Sequence, residues 1–404
     1  MLTIEQLGDI KGKRILVRVD FNVPLKDGQI RDDNRIIQAL PTIKFLTSRG
    51  AKVVLLSHLG KIKHKDGPEA VMAQMKKNSL EPVAVRLKEL LKTPVVFCPL
   101  TTGEEVDYFV RTLEDGETLL LENTRFEPGE TKNDLELAQK WANNIDIFVM
   151  EAFGTAHRAH ASTYGIPSIL KQEGKKVAVG YLVEKEVNNL MRCVDVNPSD
   201  RPYIAILGGL KVSDKIKVID KLLEKCDKIL IGGAMAYTFQ KALGKTVGIS
   251  PVEDDQLAYA KACYEKAKGR IILPIDSVST DAFMNWSKKI TTKDANIPDE
   301  FEGMDIGPKT ITLFQKEMKN AKMIFWNGPM GVFEQEDFAL GTIAICEAVN
   351  KLEGVFSVAG GGDSAAAVSE FGFMNSFSHV STGGGAALTM IENEGLLPGL
   401  EILK

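Results

Sequence analysis

Short runs of β-branched and other apolar residues alternate with longer amphipathic segments from one end of this 404-residue chain to the other. This alternation is typical of parallel sheets whose strands are joined by covering helices. It predicts five strands in the first half, over residues 14–19, 52–57, 94–98, 118–121 and 145–150. It predicts six in the second half, over residues 203–207, 228–231, 270–275, 322–326, 354–359 and 377–381.

The predicted fold class is α/β, with two doubly wound, Rossmann-like parallel-sheet domains. A chain of this length with 44% apolar residues can bury two separate cores. Residues 184–194 form a helical stretch that reads as a connector between the halves. We therefore expect a first domain over 1–175 and a second over 188–387, with the tail 388–404 packing back on the first.

Composition excludes several classes of function. The net charge of -4, without a polybasic run beside aromatic residues, gives no reason to expect a nucleic-acid partner. No secretory leader or bilayer-length apolar run is evident, so we expect a cytoplasmic protein without a membrane partner. His157 and His160 lack a third ligand at a suitable spacing. The cysteines form no Cys-x-x-Cys pair, so we interpret all five as buried thiols in a reducing compartment: Cys98, Cys193, Cys226, Cys263 and Cys346.

Ligands of open parallel sheets bind beyond the carboxyl ends of the strands, so the residues after each predicted strand matter most. In the first half these residues are polar or ionisable, and Arg35 at the start of a helix can reach the same edge. Planar guanidinium groups bind carboxylates and phosphates through paired hydrogen bonds, which favours a small anionic ligand. The alternative is that the arginines pair with surface acids. The residues are Asp20, Asn22, His58, Asn123, Arg125 and the segment 157–160.

In the second half the strand exits are glycines, at 208–209, 232–233, 328, 360–362 and 383–385. Backbone amides free of side chains at the start of a helix form a phosphate site, although such glycines can equally serve tight turns. Lys211 and Lys215 are predicted to lie on one face of the helix after Gly209, as an anion clamp. Asp363 is a candidate magnesium ligand or simply a helix N-cap.

Familiar nucleotide motifs are absent or incomplete. Gly244-Lys245-Thr246 has the tail of a P-loop, but Phe239 occupies its first glycine position. The triplet after residue 359 satisfies a loose dinucleotide fingerprint, yet Thr382 stands where an acidic residue is expected. A nicotinamide-dependent dehydrogenase is therefore only an alternative. The motifs of protein kinases are not found.

Seven motifs resemble those of the phosphoglycerate kinase family, in family order from about Arg14 to Leu400. They are Arg18-Val19-Asp20-Phe21-Asn22-Val23-Pro24, Ser57-His58-Leu59-Gly60, Leu121-Glu122-Asn123-Thr124-Arg125-Phe126, Ala152-Phe153-Gly154-Thr155-Ala156-His157-Arg158-Ala159-His160, Gly208-Gly209-Leu210-Lys211-Val212, Trp326-Asn327-Gly328-Pro329-Met330-Gly331-Val332-Phe333-Glu334 and Ser378-His379-Val380-Ser381-Thr382-Gly383-Gly384-Gly385.

The resemblance implies reversible phosphoryl transfer between 1,3-bisphosphoglycerate and magnesium ADP, giving 3-phosphoglycerate and ATP. It places the acid substrate on the first domain, at Asp20, Asn22, Arg35, His58, Lys61, Arg125 and Arg158. It places the nucleotide on the second, at Gly209, Lys211, Lys215, Gly232, Gly303, Met304, Asn327, Pro329, Glu334, Gly361, Gly362, Asp363 and Ser364, with Mg²⁺ at Asp363. Within that set, Gly232, Gly303 and Met304 are expected at the adenine and Glu334 at the ribose.

We expect Lys215 and Arg35 to meet the migrating phosphoryl group from opposite domains, joined by amides of Gly383, Gly384 and Gly385. This expectation requires closure of the domains, with hinges near the connector and around residues 381–385. The resemblance favours a monomer. A non-catalytic metabolite-binding protein on the same fold is a further alternative, disfavoured because no expected catalytic group is missing.

The chain departs from the family pattern at a few positions. Lys61 stands where an arginine usually follows His-Leu-Gly, which replaces a planar fork by a point charge. The following loop, residues 62–78, is longer than usual. Further departures that remove no group needed for the chemistry are Leu210, Met304 and the pair Met150-Glu151.

Overall fold

The computed structural model describes all residues from Met1 to Lys404 and divides into two compact units. Unit 1 comprises Met1–Asn188 and Leu396–Lys404, and unit 2 comprises Asn189–Gly395. One helix, Tyr181–Val194, carries the chain from unit 1 into unit 2. No helix is both long enough and apolar enough to span a membrane. All five cysteines are buried free thiols, as the sequence predicts.

Unit 1 is built on a seven-stranded parallel sheet of order β1-β9-β8-β2-β5-β7-β6, with a short hairpin β3-β4 beside it. The strands are β1 Leu2–Thr3, β2 Arg14–Val19, β3 Leu25–Lys26, β4 Gln29–Ile30, β5 Lys52–Leu56, β6 Val95–Cys98, β7 Thr118–Leu121, β8 Ile147–Glu151 and β9 Lys176–Val179. The helices are α1 Asn34–Ser48, α2 Pro68–Lys77, α3 Glu81–Leu91, α4 Glu104–Thr112, α5 Leu135–Ala142, α6 Ile166–Gln172 and α7 Tyr181–Val194.

Unit 2 contains a six-stranded parallel sheet of order β12-β11-β10-β16-β17-β18 and a separate antiparallel sheet of order β14-β13-β15. The strands are β10 Tyr203–Leu207, β11 Lys228–Ile231, β12 Ile271–Ile272, β13 Ser277–Thr280, β14 Lys289–Thr291, β15 Glu302–Ile306, β16 Met323–Asn327, β17 Phe356–Ala359 and β18 His379–Val380. The helices are α8 Ile216–Lys225, α9 Met235–Ala242, α10 Leu257–Ala267, α11 Pro308–Met318, α12 Leu340–Asn350, α13 Gly362–Glu370 and α14 Gly385–Glu392; α15 Pro398–Glu401 lies in the tail that belongs to unit 1.

The sequence patterns explain why these elements form. Every residue of β10 and β16 is buried, as expected of strands covered by helices on both faces. Helix α8 buries Val218, Ile219, Leu222 and Leu223 on one stripe and leaves its charged residues outside. The prediction of two doubly wound α/β domains is confirmed.

Several local predictions were wrong. Only Ile271–Ile272 of the run 270–275 forms a strand, and only His379–Val380 of the run 377–381. Strand β9 was missed. The antiparallel sheet was also missed, because β13 and β15 carry polar residues that give no apolar run. The segment 62–78 is not a plain loop, since it contains helix α2.

The chain end is shared between the units. The predicted tail starts at residue 388, but residues 388–395 belong to unit 2. Helix α14 runs to Glu392 and packs on α8, which holds this part of the chain there. From Leu396 onward the chain belongs to unit 1, where the Gly399 amide donates to the Ala156 carbonyl.

The sheet order locates the crevices. In unit 2 successive strands run outward from β10 on one side and from β16 on the other, so the winding direction reverses between these two central strands. Open α/β sheets bind ligands beyond the carboxyl ends of strands at such a switch point. In unit 1 the winding reverses beside β2, which ends at Val19.

Glu151, the last residue of β8, is fully buried, and its carboxyl group lies at the start of the connecting helix α7. Its Oε1 accepts hydrogen bonds from Thr42 Oγ1 at 2.5 Å and Leu182 N at 3.1 Å, and its Oε2 accepts from Val183 N at 3.4 Å. A Cβ on Gly180 would collide with the carboxylate, so glycine is required there. Burial raises the pKa of Glu151 to about 7 in spite of these donors.

Glu151→Gln should flatten the pH dependence of stability. The pKa of Glu151 in the folded protein lies above the ordinary 4.5. The free energy of unfolding is therefore highest below pH 4.5, where the carboxyl group is protonated in both states, and it falls until the folded protein has also lost this proton as pH rises through about 7. The loss amounts to about 3 kcal/mol. Glutamine stays neutral, so denaturant unfolding should show a smaller drop in stability from pH 5 to pH 8 than in the unmodified protein. Glu136→Gln, at an exposed glutamate of the same unit, is the control, and an unchanged pH profile in Glu151→Gln would contradict the assignment.

Candidate functional site

The two central strands of unit 2 end in turns that pack backbone against backbone. Gly208 N donates to the Asn327 carbonyl at 2.9 Å, and Gly209 N donates to the Pro329 carbonyl at 3.1 Å. A Cβ on Gly328 would collide with the Gly208 carbonyl oxygen. Gly208 and Gly328 are therefore needed for close packing of the turns.

Gly362 and Gly384 differ from these packing glycines. A Cβ at either position would meet no atom within 4 Å, so both face open space. Each stands at the start of a helix, α13 at Gly362 and α14 at Gly385. Helix N-termini present unpaired amides and a positive dipole end, which suits phosphate. The amide of Gly383, in contrast, already donates a hydrogen bond to Ser381 Oγ at 3.1 Å.

A cavity of about 350 Å³ lies between these turns and helix starts. It brings together ten of the residues that the sequence assigned to the nucleotide or to the catalytic amides. They are Gly209, Lys211, Lys215, Asn327, Gly361, Gly362, Asp363, Ser364, Gly384 and Gly385. Leu210, Asp214, Gly328 and Leu388 complete the lining.

Lys215 is the buried cation of this cavity, only 9% exposed. Its Nζ donates to Asn327 Oδ1, and Asn327 Nδ2 donates to the Gly360 carbonyl at 2.6 Å, so the ammonium group is held in place. Burial lowers the pKa of Lys215 to about 8, although Asp363 acts in the opposite direction. A phosphate in the cavity would compensate the buried charge.

The prediction that Lys211 and Lys215 share a helix face was wrong. Lys211 is exposed in the turn that precedes a short 3₁₀ helix, Ser213–Lys215, and α8 starts only at Ile216. Glu253, which the sequence reading missed, occupies that helix start: its Oε2 accepts from Val212 N at 2.6 Å and Ser213 N at 3.1 Å. No local pattern links residue 253 to this turn, since the contact is tertiary.

The residues expected at the adenine and ribose, which are Gly232, Gly303, Met304 and Glu334, do not line this cavity. A Cβ on Gly232 would approach Met330 Sδ, and the Gly233 amide donates to the Met330 carbonyl at 3.0 Å. Met304 is 2% exposed, which places its side chain in the core, while its carbonyl accepts from Val332 N at 2.9 Å. Gly303 lies against Tyr237, whose Oη a Cβ on this glycine would meet, and Glu334 is exposed.

In unit 1 the side chains of Arg18, Arg35, His58 and Arg125 gather near Asp20 and form a group that we call the arginine cluster. Arg35 Nη1 and Asp20 Oδ2 form an ion pair at 2.5 Å. Gly60 N donates to Asn22 Oδ1 at 2.8 Å, and Arg125 Nη1 donates to the Gly60 carbonyl. Burial alone would raise the pKa of Asp20, but the surrounding cations outweigh it and lower that pKa.

Arg18 is the main residue that the sequence analysis did not single out. It is a fully buried guanidinium next to the carboxyl end of the largely apolar strand β2, and that placement is the signal that could have identified it. Its Nε donates to Ser162 Oγ at 2.7 Å, and its Nη2 lies 3.2 Å from His58 Nδ1. Ser162 Oγ donates in turn to Glu130 Oε1 at 2.5 Å.

The pKa values of two histidines, His58 and His160, are lowered in this cluster. Burial lowers the pKa of His58 well below its usual value, with Arg18 and Arg125 adding to the effect and Asp20 opposing it. Burial lowers the pKa of His160 to about 4, again with arginines contributing, among them the exposed Arg158. Both imidazoles are therefore neutral at pH 7, and the net positive charge rests on guanidinium groups.

Comparison with known proteins agrees with this geometry. The family model described as phosphoglycerate kinase matches residues 4–394. The chain belongs to the phosphoglycerate kinase family. Phosphoglycerate kinases of Enterococcus faecalis and Thermosipho africanus are each 52% identical, over 396 and 406 residues that cover 97% and 99% of this chain and 96% of each relative.

Solved structures agree as well. The phosphoglycerate kinase of Coxiella burnetii matches with a TM-score of 0.85 and 38% identity, covering 100% of this chain and 98% of that one. The phosphoglycerate kinase of Pyrococcus horikoshii OT3 matches with a TM-score of 0.84 and 33% identity, with the same coverage. Identification as a member of the phosphoglycerate kinase family is confirmed, and nothing favours a dehydrogenase.

Binding of 3-phosphoglycerate should raise the pKa of His58 and of His160, because an anion offsets the arginine charges that act together with burial to lower both values. Proton and carbon NMR of the imidazole rings over pH 4–8 measures this shift. Magnesium ADP alone should leave both values unchanged. Unchanged histidine titration in saturating 3-phosphoglycerate would mean that the substrate binds elsewhere.

Proposed function

We propose that this member of the phosphoglycerate kinase family carries out reversible phosphoryl transfer from 1,3-bisphosphoglycerate to ADP with the arginine cluster of unit 1 holding the acid substrate and the cavity of unit 2 holding the nucleotide phosphates. The observation that carries the site assignment is the pair of chemically different anion sites, one in each unit. Guanidinium forks suit a small substrate with a carboxylate and a phosphate. Amides at helix starts and a buried ammonium suit a polyphosphate.

On unit 1, Asp20, Asn22, His58, Lys61, Arg125 and Arg158 would hold the substrate together with Arg35. On unit 2, Lys215 would contact the transferred phosphoryl group, and Lys211 would contact the polyphosphate from the rim. The amides near Gly362 and Gly384 would donate to equatorial oxygens, whereas Gly383 would position the turn. Gly232, Gly303, Met304, Pro329 and Glu334 remain the proposed surroundings of the nucleoside.

Phosphoryl transfer demands positioning and charge stabilisation rather than a protein nucleophile. The 3-phosphoglycerate carboxylate, or ADP in the opposite direction, attacks in line while negative charge spreads over three equatorial oxygens. Lys215 is suited to this role because Asn327 fixes its ammonium group before substrate arrives. Preorganised donors of this kind need no reorganisation as the charge develops.

Magnesium fits the nucleotide cavity as a partner of the substrate. No group of three or more histidine, cysteine, aspartate or glutamate side chains in the chain forms a metal centre. Two exposed carboxylates line the cavity, Asp214 and Asp363, and Asp363 lies in the first turn of α13. Mg²⁺ characteristically binds one or two carboxylates plus phosphate oxygens and water. Asp363 would hold the ion, which supplies charge neutralisation of the polyphosphate when bound.

A coupled assay with the purified protein tests the reaction. ATP and 3-phosphoglycerate should give a rate of 1,3-bisphosphoglycerate formation that depends on both substrates, with controls that omit each in turn. Nicotinamide turnover without the coupling enzyme would support the dehydrogenase alternative. Binding of both substrates without turnover would support a non-catalytic metabolite-binding protein.

The reaction also requires donor and acceptor to come within bonding distance, so we infer that units 1 and 2 approach each other in the ternary complex. The radius of gyration from small-angle X-ray scattering should fall when 3-phosphoglycerate and magnesium ADP are added together. Either ligand alone is the control, and an unchanged radius with both would contradict closure.

We further propose a cytoplasmic monomer without nucleic-acid or membrane partners.

A further inference from the structure

The segment 209–215, which we call the cavity turn, connects β10 to the start of α8. Val212 and Ser213 are the two residues of this turn that do not line the nucleotide cavity. Glu253 binds the turn at these two residues: its Oε2 accepts from Val212 N at 2.6 Å and from Ser213 N at 3.1 Å, and its Oε1 accepts from Ser213 Oγ. The carboxylate therefore holds the turn without lining the cavity.

Glu253 also occupies a helix start that a phosphate could otherwise use. The short 3₁₀ helix Ser213–Lys215 begins at the two amides that it binds. The first amides of a helix lack acceptors within the helix, so they attract a carboxylate or a phosphate. By contrast, Gly362 and Gly384 at the starts of α13 and α14 face open space. Glu253 thus leaves those two helix starts to the nucleotide phosphates.

The contact with Glu253 is transmitted to Lys215 through a single residue. Val212 N donates to Glu253, and the Val212 carbonyl accepts from Lys215 N at 2.8 Å. The Val212 side chain is fully buried. Lys215 is therefore fixed at two places, at its backbone through Val212 and at its ammonium group by Asn327. A shift of the cavity turn would displace the ammonium group from its position in the cavity.

The position of Glu253 is itself fixed by helix α9. Glu253 N donates to Oγ1 of the buried Thr238 at 3.2 Å. The next residue, Asp254, pairs with Lys241 of the same helix at 2.7 Å. The carboxylate therefore reaches the cavity turn from a segment that is anchored independently of that turn.

We propose that Glu253 is a positioning residue for phosphoryl transfer, which holds the cavity turn so that Lys215 meets the transferred phosphoryl group. This inference rests on the proposed function, in which Lys215 contacts that group. Catalysis by placement is sensitive to small shifts, and a displacement of about 1 Å caused far from the reacting atoms can cost about 10²-fold in rate. Because Glu253 does not line the cavity, the reach of its side chain matters more than its charge.

Two variants separate the reach of the side chain from its charge. Glu253→Gln keeps the reach, since its amide oxygen can accept from the two turn amides and its nitrogen can donate to Ser213 Oγ. Glu253→Asp keeps the charge but is one methylene shorter. Glu253→Asp should lower kcat about tenfold to hundredfold, whereas Glu253→Gln should stay within about threefold of the unmodified protein. The KM for 3-phosphoglycerate should not change in either variant, because that substrate binds on unit 1.

Asp255→Ala is the matched control, because it removes an exposed carboxylate of the same segment, and it should keep full activity. Combination with Lys215→Ala tests the route of the effect. If Glu253 acts through Lys215, adding Glu253→Asp to Lys215→Ala should lower kcat little further. A full additional loss in the double variant would overturn the proposal. So would equal kcat in Glu253→Asp and Asp255→Ala, or a loss in Glu253→Gln as large as that in Glu253→Asp.

Amide hydrogen exchange, followed by NMR without substrates, checks the contact independently of turnover. The amides of Val212 and Ser213 should exchange faster in Glu253→Asp than in the unmodified protein and in Asp255→Ala. Equal exchange rates in all three proteins would overturn the proposal. If the unmodified protein does not turn over ATP and 3-phosphoglycerate, the proposed function fails, while faster exchange in Glu253→Asp would still show that Glu253 holds the cavity turn.

Discussion

Lys215→Ala should lower kcat by roughly two to three orders of magnitude, the typical effect of removing a preorganised donor to a developing charge. The Lys215 ammonium is buried and fixed by Asn327, so no neighbouring cation can take its place without rearrangement. The KM for 3-phosphoglycerate should change little, since that substrate binds on unit 1. Steady-state kinetics in both directions of the reaction measures the effect.

Lys217→Ala is the matched control for Lys215→Ala, because Lys217 is an exposed lysine two residues further on that does not line the cavity. It should keep full activity. Unfolding curves should show that both variants are folded. A normal kcat in Lys215→Ala, with only a raised KM for nucleotide, would reduce Lys215 to a ground-state binding residue.

Arg35→Ala should lower kcat/KM for 3-phosphoglycerate by roughly two orders of magnitude or more. The variant loses a guanidinium fork at the anion site, and it also leaves the buried carboxylate of Asp20 without its 2.5 Å ion pair. That carboxylate would then repel an anionic substrate. Initial-rate kinetics with varied 3-phosphoglycerate measures the effect, while the KM for ATP serves as an internal reference.

Two further variants make the Arg35 result specific. Arg35→Lys keeps the charge but not the fork, so it should fall between alanine and the unmodified protein. Arg86→Ala removes an arginine of the same unit that also pairs with two carboxylates, Asp33 and Glu89, outside the cluster. It should leave kinetics unchanged. Equal effects of Arg35→Ala and Arg86→Ala would show that Arg35 acts only through general charge.

The accuracy of the strand predictions followed burial. The bounds of β2, β7, β10 and β11 agree with prediction, because their apolar runs are covered on both faces and leave a continuous signal. The antiparallel sheet gave no such signal. Strand β13, for example, is a run of serine, valine and threonine residues whose strand conformation depends on its pairing with β14 and β15.

The candidate site divides in the same way. Residues at the ends of predicted strands, such as Asp20 and His58, could be proposed from the sequence because parallel strands bring their carboxyl ends to one edge. Glu253 could not be found, because it reaches the turn before α8 from 40 residues away. Lys211 was misplaced because a turn and a 3₁₀ helix precede α8, and their backbone geometry is set by the packed glycine turns.

The order of residues by itself determined the α/β class, the two parallel sheets and the family, since burial periodicity and strand-exit motifs are local properties of the chain. Only the tertiary structure decided the function of individual glycines. Gly328 and Gly362 are indistinguishable as letters, yet a side chain at Gly328 would collide with a neighbouring backbone, whereas one at Gly362 would enter empty space. What surrounds a residue depends on contacts between distant segments, and those contacts exist only after folding.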